Sequence, residues 1–435
     1  MKQRYRACTH DLCWLATEKL LKNKWRRNDV KTFVEEWTGH SRYELYEDER
    51  ANGQITFGLK YQILEELAMA GEDMVDRIMH GIDPEFSPVS VRPRREPASG
   101  KTRNVAYLDM KHQQLGHIVK LGLENYFNAR ILPTQHASIP GHGQTGLTRQ
   151  IKRMLNRKLG ITYYQKTDCD SAYASTKYSA VIKIMRDEIP RAKWILACME
   201  VLARYAPDGH LIIGGYLDAW LFNYVMSYAI RYILSLRKSR RENQIPMVIR
   251  AVTYMDDMWL GASAKSSLIR AVKLLTEWLW ATFHIQLRTT TGVIRLASIE
   301  EEKERKRSPS KAERHAAMID MGGYRISRTH ITMRKRNAKK AIRCFRRTGR
   351  ELKQTGTIKR QRACSLIALN GLIQNSDSYQ LCQKYNVYAI LRVAKRVQKY
   401  WAREARKKRK EYVGYVTDKY RKQYQTICGA GRTAV

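Results

Sequence analysis

The sequence predicts an α+β fold with a helical domain appended at its C-terminal end. Through the middle of the chain, short segments rich in β-branched and aromatic residues alternate with segments of helical periodicity. From Arg334 onward the periodicity is helical and the residues are strongly basic. A chain of 435 residues is long enough for two or three domains with a well-buried core.

The predicted elements follow one another without an internal repeat. In chain order we expect helices over 1–83, a Pro-rich extended connector over 84–97, mixed structure over 101–132, a glycine-rich loop over 138–146, a helix over 147–159, a strand over 161–167, helices over 177–188 and 217–234, a hairpin over 251–262, a helix over 266–283, a β-like region over 285–296, a charged solvated insert over 300–314, a strand region over 318–331 and basic helices thereafter.

The charge of the chain indicates a polyanionic partner. Lys and Arg number 80 against 41 Asp and Glu, a formal net charge of +39. Residues 331–435 carry 28 Lys and Arg against 5 Asp and Glu, so +23 falls on the last quarter of the chain. An excess of this size attracts nucleic acid, with an anionic membrane surface as the alternative. Apolar and aromatic residues are threaded through this tail, which argues against disorder.

Cysteine usage and hydropathy favour a soluble cytoplasmic protein. The eight cysteines are scattered without a Cys-x-x-Cys pair, so we expect free thiols. Cys8, His10 and Cys13 lie close together but lack a fourth zinc ligand nearby. The start of the chain lacks the apolar core of a signal peptide. The most apolar long segment contains polar residues that suit a buried helix better than a membrane span, namely Asp218, Asn223 and Arg231.

Two adjacent carboxylates, Asp256 and Asp257, interrupt the apolar segment 251–260. Ionised carboxylates resist burial unless their lost hydration is compensated. Because neighbouring side chains of a strand point to opposite faces, both cannot face one core. A hairpin with both aspartates at its tip, next to a divalent cation, resolves the conflict. This pattern predicts a metal site for phosphoryl transfer.

A second acidic centre follows the predicted strand 161–167, where the chain places Asp168 and Asp170. Three carboxylates from two neighbouring strands, Asp168 with Asp256 and Asp257, can hold two Mg²⁺ ions about 3.5–4 Å apart. Hard oxygen ligands suit Mg²⁺ or Mn²⁺ rather than zinc. The alternative is that Asp168 and Asp170 cap the helix that follows.

Several segments resemble the motifs of reverse transcriptases, in the same order along the chain. Tyr254-Met255-Asp256-Asp257 resembles their signature box, and Asp168 with Tyr173 resembles their first catalytic motif. The resemblance covers roughly residues 100–330 and includes three further segments. Gly214-Gly215, before a long helix with Asn223, resembles the fourth sequence block of the family, and the glycine loop 141–146 resembles a loop found in its prokaryotic members. Gly322-Gly323-Tyr324-Arg325 resembles the primer-grip strand.

The resemblance implies a right-hand polymerase, an α+β fold with fingers, a palm built on an antiparallel sheet and a helical thumb. Residues 1–95 would form a helical N-terminal extension with the Pro-rich connector, and 96–160 the fingers. Residues 161–330 would form the palm with some finger elements. Residues 331–435 would form a basic helical thumb or RNA-binding region.

The resemblance also implies roles for individual residues. The catalytic carboxylates would be Asp168, Asp256 and Asp257, and these three together with Cys169 would be the metal-binding residues for two Mg²⁺ or Mn²⁺ ions. Tyr173 would lie beneath the sugar and exclude a 2′-hydroxyl, which favours dNTPs. The other substrate-binding residues would be Lys101, Arg103, Gly214, Gly215, Tyr254 and Met255. A solvated basic loop is the alternative for Lys101 and Arg103.

The implied activity is RNA-directed DNA synthesis. The template would be a structured noncoding RNA and the product DNA, and no membrane partner is expected. The chain is most similar to stand-alone prokaryotic enzymes of antiviral defence. Diversity-generating retroelement enzymes carry Ser-Gln where this chain has Asp218-Ala219. The alternatives are template-independent or protein-primed synthesis of the abortive-infection type, a diversity-generating enzyme, and a non-catalytic RNA-binding protein. A homo-oligomer or an accessory protein is left open.

Overall fold

A computed structural model describes residues 5–95, 102–156, 159–307 and 318–430. The chain forms two compact units. The first unit comprises Met1–Ile131, Ser171–Val225 and Arg406–Val435, and the second comprises Leu132–Asp170 and Met226–Ala405. The fold is a mixture of helices and antiparallel sheet, so the predicted α+β class is confirmed.

The helices in the described part of the chain are α1 His10–Leu21, α2 Asn28–Thr38, α3 Arg42–Asn52, α4 Phe57–Met79, α5 Met110–Gly122, α6 Glu124–Arg130, α7 Gln144–Asn156, α8 Ala172–Ser175, α9 Tyr178–Glu188, α10 Lys193–Tyr205, α11 Tyr216–Ser235, α12 Lys265–Phe283, α13 Ile299–Arg307, α14 Lys335–Thr355, α15 Arg360–Gln374, α16 Tyr379–Lys384 and α17 Val387–Ala430. Within these residues, none of the helices has the length and apolar character needed to cross a membrane.

The strands are β1 Ser90–Arg95, β2 Thr102–Tyr107, β3 Gln135–His136, β4 Tyr163–Cys169, β5 Arg237–Arg240, β6 Asn243–Pro246, β7 Arg250–Tyr254, β8 Asp257–Ala262, β9 Leu287–Thr289, β10 Ile294–Arg295, β11 Ile319–Met321, β12 Tyr324–Ile326 and β13 Ile331–Met333. The predicted strand at 161–167 and the predicted hairpin at 251–262 are confirmed as β4 and as the pair β7–β8.

A six-stranded sheet forms the centre of the second unit. Its order is β10-β4-β8-β7-β3, and β9 also pairs with β4. All pairings are antiparallel except β3 with β7, which is parallel. Alternating residues of β7 and β8 reach the core, where Val252 and Trp259 are fully buried. They pack with Leu147 and Ile151 of α7 and with apolar residues of the three-stranded sheet β11-β12-β13.

A second apolar core in the same unit joins α14, α15 and the first turns of α17. On α14 the buried side chains are Ala341, Phe345 and Thr348, at spacings of four and three residues. The rest of this helix is basic, with nine Lys and Arg between Lys335 and Lys353. The predicted basic helices after Arg334 are therefore confirmed, and α14 presents a broad positive face.

Helices α1–α5 build the core of the first unit around Leu20, Val30, Ile63 and Leu67. The helical structure predicted over 1–83 is confirmed in the described residues by α1–α4, and residues 1–4 lie outside them. The far end of α17 also belongs to this unit and packs on α3. There, Glu49 accepts hydrogen bonds from Arg409 at 2.8 and 3.0 Å.

The Pro-rich segment 84–97 differs from the prediction, because its second half is a strand rather than an unpaired connector. β1 pairs with β2 antiparallel, with Pro93 opposite Asn104. Proline lacks an N–H donor and is tolerated in a strand that has an open edge. Each strand of a two-stranded sheet has one open edge, so the proline in β1 does not prevent its pairing with β2.

Candidate active site

The tip of the β7–β8 hairpin carries the aspartate pair. Tyr254 pairs with Asp257 across the hairpin, so Met255 and Asp256 form a two-residue turn. Met255 has φ 54°, a left-handed conformation that costs a non-glycine residue roughly 1–2 kcal/mol. Its N–H donates to the carbonyl oxygen of His136 at 3.2 Å, which ties the turn to β3. Backbone strain held in this way is typical of functional turns.

Asp168 lies directly opposite Asp257 in the β4–β8 ladder. Side chains opposite each other in an antiparallel pair share a face, with Cβ atoms roughly 5 Å apart. The neighbouring turn adds Asp256, and all three aspartates are half-buried. The register of the sheet therefore brings the three carboxylates to one edge, although Asp168 and Asp257 lie far apart in sequence.

Cys169 is buried among these aspartates. Its N–H donates to the carbonyl oxygen of Asp256 at 3.3 Å. Burial, followed by the charges of Asp256, Asp168 and Asp257, raises the pKa of its thiol far above the usual value. A thiol is also a softer ligand than Mg²⁺ or Mn²⁺ prefers, so the carboxylates are the better candidates to hold a hard cation.

Two basic residues that the sequence analysis did not single out accompany the carboxylates. Lys166 is buried, two residues before Asp168 on the same face of β4, and its Nζ lies 3.8 Å from Oδ1 of Asp257. Arg288 of β9 donates to Oδ1 of Asp170 at 2.5 Å. A lysine at the i−2 position of an acidic strand end is the one sequence signal that could have identified Lys166.

The donors at this edge match a hard divalent cation in chemistry, because carboxylates are the ligands that Mg²⁺ and Mn²⁺ prefer. In the residues that the structure describes, however, no group of three or more His, Cys, Asp or Glu side chains is arranged to hold a metal ion. Arg288 pairs with Asp170, as Lys166 does with Asp257.

The glycine-rich loop lies next to the hairpin within the second unit. His136, whose carbonyl oxygen accepts the bond from the turn, lies beside His142, with ring centroids 5.2 Å apart and ring planes tilted by 39°. Gln144, the first residue of α7, hydrogen-bonds the hydroxyl of Tyr254, whose pKa is nevertheless raised by burial. Two segments that the sequence analysis singled out separately, the loop and the Tyr254 box, are thus in contact.

In the first unit, the turn at Gly214 is bound to the strand that contains Arg103. Ala106 of β2 donates its N–H to the carbonyl oxygen of Ile213 at 2.8 Å. Gly214 has φ 122°, and a Cβ at this position would lie 2.6 Å from the carbonyl oxygen of Ala106. Only glycine meets both conditions.

Asp218, a residue to which the sequence analysis gave no role, holds the same turn. Its Oδ1 accepts hydrogen bonds from the N–H of Ile212 at 2.9 Å and from the hydroxyl of Tyr178 at 3.0 Å. A Cβ on Gly215 would overlap its other oxygen, at 1.8 Å. Burial raises the pKa of Asp218 to about 6, against hydrogen bonds that lower it.

The remaining predicted substrate residues also belong to the first unit. Tyr173 is half-buried and stacks on Phe222 of α11, with ring centroids 5.3 Å apart and planes 24° apart. Arg103 is exposed on β2. Lys101 lies outside the described residues. The carboxylates and these residues are therefore organised by two different units.

Comparisons with known proteins find likeness among solved structures. No protein-family model matches the chain, and no curated protein matches it. Among solved structures, the Sicinivirus 3Dpol RNA dependent RNA polymerase is similar over 54% of this chain and 57% of its own, with 11% sequence identity and a TM-score of 0.33. The chain thus matches little more than half of that polymerase.

Proposed function

We propose that this chain is an RNA-directed DNA polymerase, which joins a 3′-hydroxyl to the α-phosphate of a dNTP and releases pyrophosphate. The observation that carries the proposal is the register of β4 and β8, which sets Asp168 opposite Asp257 with Asp256 in the adjoining turn. Clustered carboxylates at a strained hairpin tip are costly for stability alone, and phosphoryl transfer gives them a use.

Asp168, Asp256 and Asp257 would hold the divalent cations. When bound, such cations lower the pKa of an attacking hydroxyl and offset the charge of the leaving pyrophosphate. The chain's own contribution is electrostatic. Lys166 and Arg288 place fixed positive charge beside Asp257 and Asp170, which reduces repulsion among the carboxylates before substrate arrives.

Sugar and triphosphate selection would fall to residues of the first unit. The stack with Phe222 limits the movement of the Tyr173 ring, which suits a steric test for a 2′-hydroxyl. Arg103, with Lys101 beside it in sequence, would neutralise triphosphate charge. Because Gly214 has no side chain, its backbone lies close to the carbonyl oxygen of Ala106 on β2, which a Cβ would prevent.

The template in this proposal is RNA, and a dedicated noncoding RNA in prokaryotic antiviral defence is the role that the motif resemblance favours. The basic face of α14 and the ten Lys and Arg of α17 between Arg392 and Lys410 supply charge for a phosphate backbone. The exposed side chain of Tyr400 lies among them, and the exposed Tyr415 follows them along the helix.

The proposal is tested by supplying the purified protein with an RNA template, an annealed DNA primer, dNTPs and Mg²⁺ or Mn²⁺. We expect DNA synthesis, and we expect the double variant Asp256→Ala, Asp257→Ala to abolish it. Glu277→Gln is the matched control, because it removes an exposed carboxylate from α12 of the same unit. Synthesis that continues in the double variant would refute the mechanism.

Sequencing the product separates templated from untemplated synthesis. A templated product must be complementary to the supplied RNA or to RNA that co-purifies with the protein. A product of random or single-nucleotide composition would instead assign the same phosphoryl-transfer site to template-independent synthesis.

A further inference from the structure

The N-terminal helices contain a cavity that has no part in the site described above. Its volume is about 480 Å³, and it is lined by α1, the loop that follows it, and the start of α4. The lining side chains fall into an aromatic group (Trp14, Trp25, Phe57 and Tyr61) and a charged group (Glu18, Lys22, Arg26 and Lys60). All of them belong to the first unit.

Two of these aromatic side chains, Phe57 and Tyr61, are exposed, whereas Trp14 and Trp25 pack against the apolar core. Phe57 is 82% exposed and Tyr61 is 49% exposed. Their ring centroids are 6.4 Å apart, and Tyr61 is 6.0 Å from Trp14 in the opposite wall, so the rings form a short series. The hydroxyl of Tyr61 hydrogen-bonds Glu65, which fixes the ring on the helix. Such a series offers flat faces for a planar ligand.

The charge around these rings is positive. Lys22, Arg26 and Lys60 face a single lining carboxylate, Glu18. Arg26 lies 3.5 Å from the buried carboxylate of Glu49, but that carboxylate is already bound by Lys31 and Arg409. Three cations therefore share Glu49, which leaves the neighbourhood with a surplus of positive charge.

We infer that this cavity binds a single-stranded segment of RNA, with one or two bases on the faces of Phe57 and Tyr61 and with phosphates near Lys22 and Lys60. Unpaired bases are needed because a duplex keeps its base faces stacked internally. Aromatic faces among cations are the arrangement by which proteins hold single strands. The inference does not depend on the proposed polymerase activity, because binding here requires neither dNTPs nor the aspartates.

The first experiment needs no variant in the cavity. Full-length protein carrying Asp256→Ala and Asp257→Ala is mixed, without dNTPs, with an unstructured RNA that contains 4-thiouridine, and then irradiated. We expect cross-links at Phe57, Tyr61 or Trp14, identified by mass spectrometry of the peptides. Cross-links confined to other parts of the chain would overturn the inference, whether or not the intact protein makes DNA.

The second experiment measures affinity. Phe57→Ala with Tyr61→Ala should weaken binding of the single-stranded RNA about tenfold or more, the loss expected for one stacked base. The salt dependence should not change, because no phosphate contact is removed. Met69→Ala is the matched control, since Met69 is 55% exposed on the same helix but outside the cavity. Equal affinities of the variant and this control would overturn the inference.

A charge variant separates phosphate contacts from stacking. Lys22→Gln with Lys60→Gln should reduce the slope of log affinity against log salt by about 1.4, roughly 0.7 for each lost contact to a single strand. Arg77→Gln, at the other end of α4, should leave the slope unchanged. An unchanged slope in the lysine variant would overturn the placement of RNA phosphates near Lys22 and Lys60.

Discussion

Replacement of Asp218 by Asn should make the protein more stable at neutral pH and less sensitive to pH. Asp218 is 3% exposed, and its Oδ1 accepts the hydrogen bonds from Ile212 and Tyr178, while its own N–H also hydrogen-bonds the carboxylate. Asparagine keeps that acceptor and removes the charge. The same change should leave the turn at Gly214 and Gly215 in place, because the side-chain volume is nearly unchanged.

The magnitude follows from the pKa of Asp218, which burial raises from 3.8 to about 6. A raised pKa means that the folded state holds this proton more tightly than the unfolded state does. Asp218 therefore contributes most to the free energy of unfolding below about pH 4. This contribution is lost as pH rises to about 6, and above that pH the destabilisation by the buried charge no longer grows. Two units correspond to about 3 kcal/mol at neutral pH.

The assay is urea unfolding of wild type and of Asp218→Asn at pH 4.5 and pH 8. We expect the difference in free energy of unfolding between the two proteins to shift by about 2 kcal/mol in favour of the variant over this range. Asp218→Ala is the control, since it removes the charge and the acceptor together and should destabilise at both pH values. A difference that stays constant with pH would show that Asp218 does not titrate as described.

Three further predictions concern the candidate site. Gly214→Ala should lower the free energy of unfolding by about 2 kcal/mol or more and suppress synthesis, because its Cβ would lie 2.6 Å from the carbonyl oxygen of Ala106; unchanged urea unfolding would count against it. Tyr173→Ala should admit ribonucleotides in a competition assay while Tyr173→Phe should not, and equal discrimination in both would remove the tyrosine as the sugar gate. Lys166→Met should lower the Mg²⁺ concentration needed for half-maximal synthesis several-fold, because it removes a cation 3.8 Å from Asp257, and Lys166→Arg is the control. An unchanged Mg²⁺ concentration for half-maximal synthesis would argue against Asp257 as a metal ligand.

The elements that were predictable from sequence are those with a clear local period. The helix predicted over 266–283 is observed as Lys265–Phe283, and the hairpin at 251–262 as two strands joined at Met255 and Asp256. In both segments, apolar residues recur at the spacing of a helix or of a strand, so the local sequence pattern is enough to predict the type of element.

The features that were missed depend on which distant segments meet. Lys166 reaches Asp257 only through the β4–β8 register, and Arg288 reaches Asp170 only because β9 pairs with β4. A one-residue shift in either pairing would turn these side chains to the other face. No local pattern in the sequence specifies that register, so the aspartates were recognisable, whereas Arg288 was not and Lys166 had only its position two residues before Asp168 as a signal.

The same reasoning explains why the carboxylates and the predicted substrate residues are held by separate sets of contacts. Backbone pairing within the sheet of the second unit fixes Asp168 and Asp257, whereas the bond from Ala106 to Ile213 and the bonds to Asp218 fix the glycine turn of the first unit. Each set is held by its own core, so a variant such as Asp218→Asn should change the stability of one unit without disturbing the carboxylates. A loss of synthesis in Asp256→Ala with an unchanged unfolding curve would then report on chemistry rather than on folding.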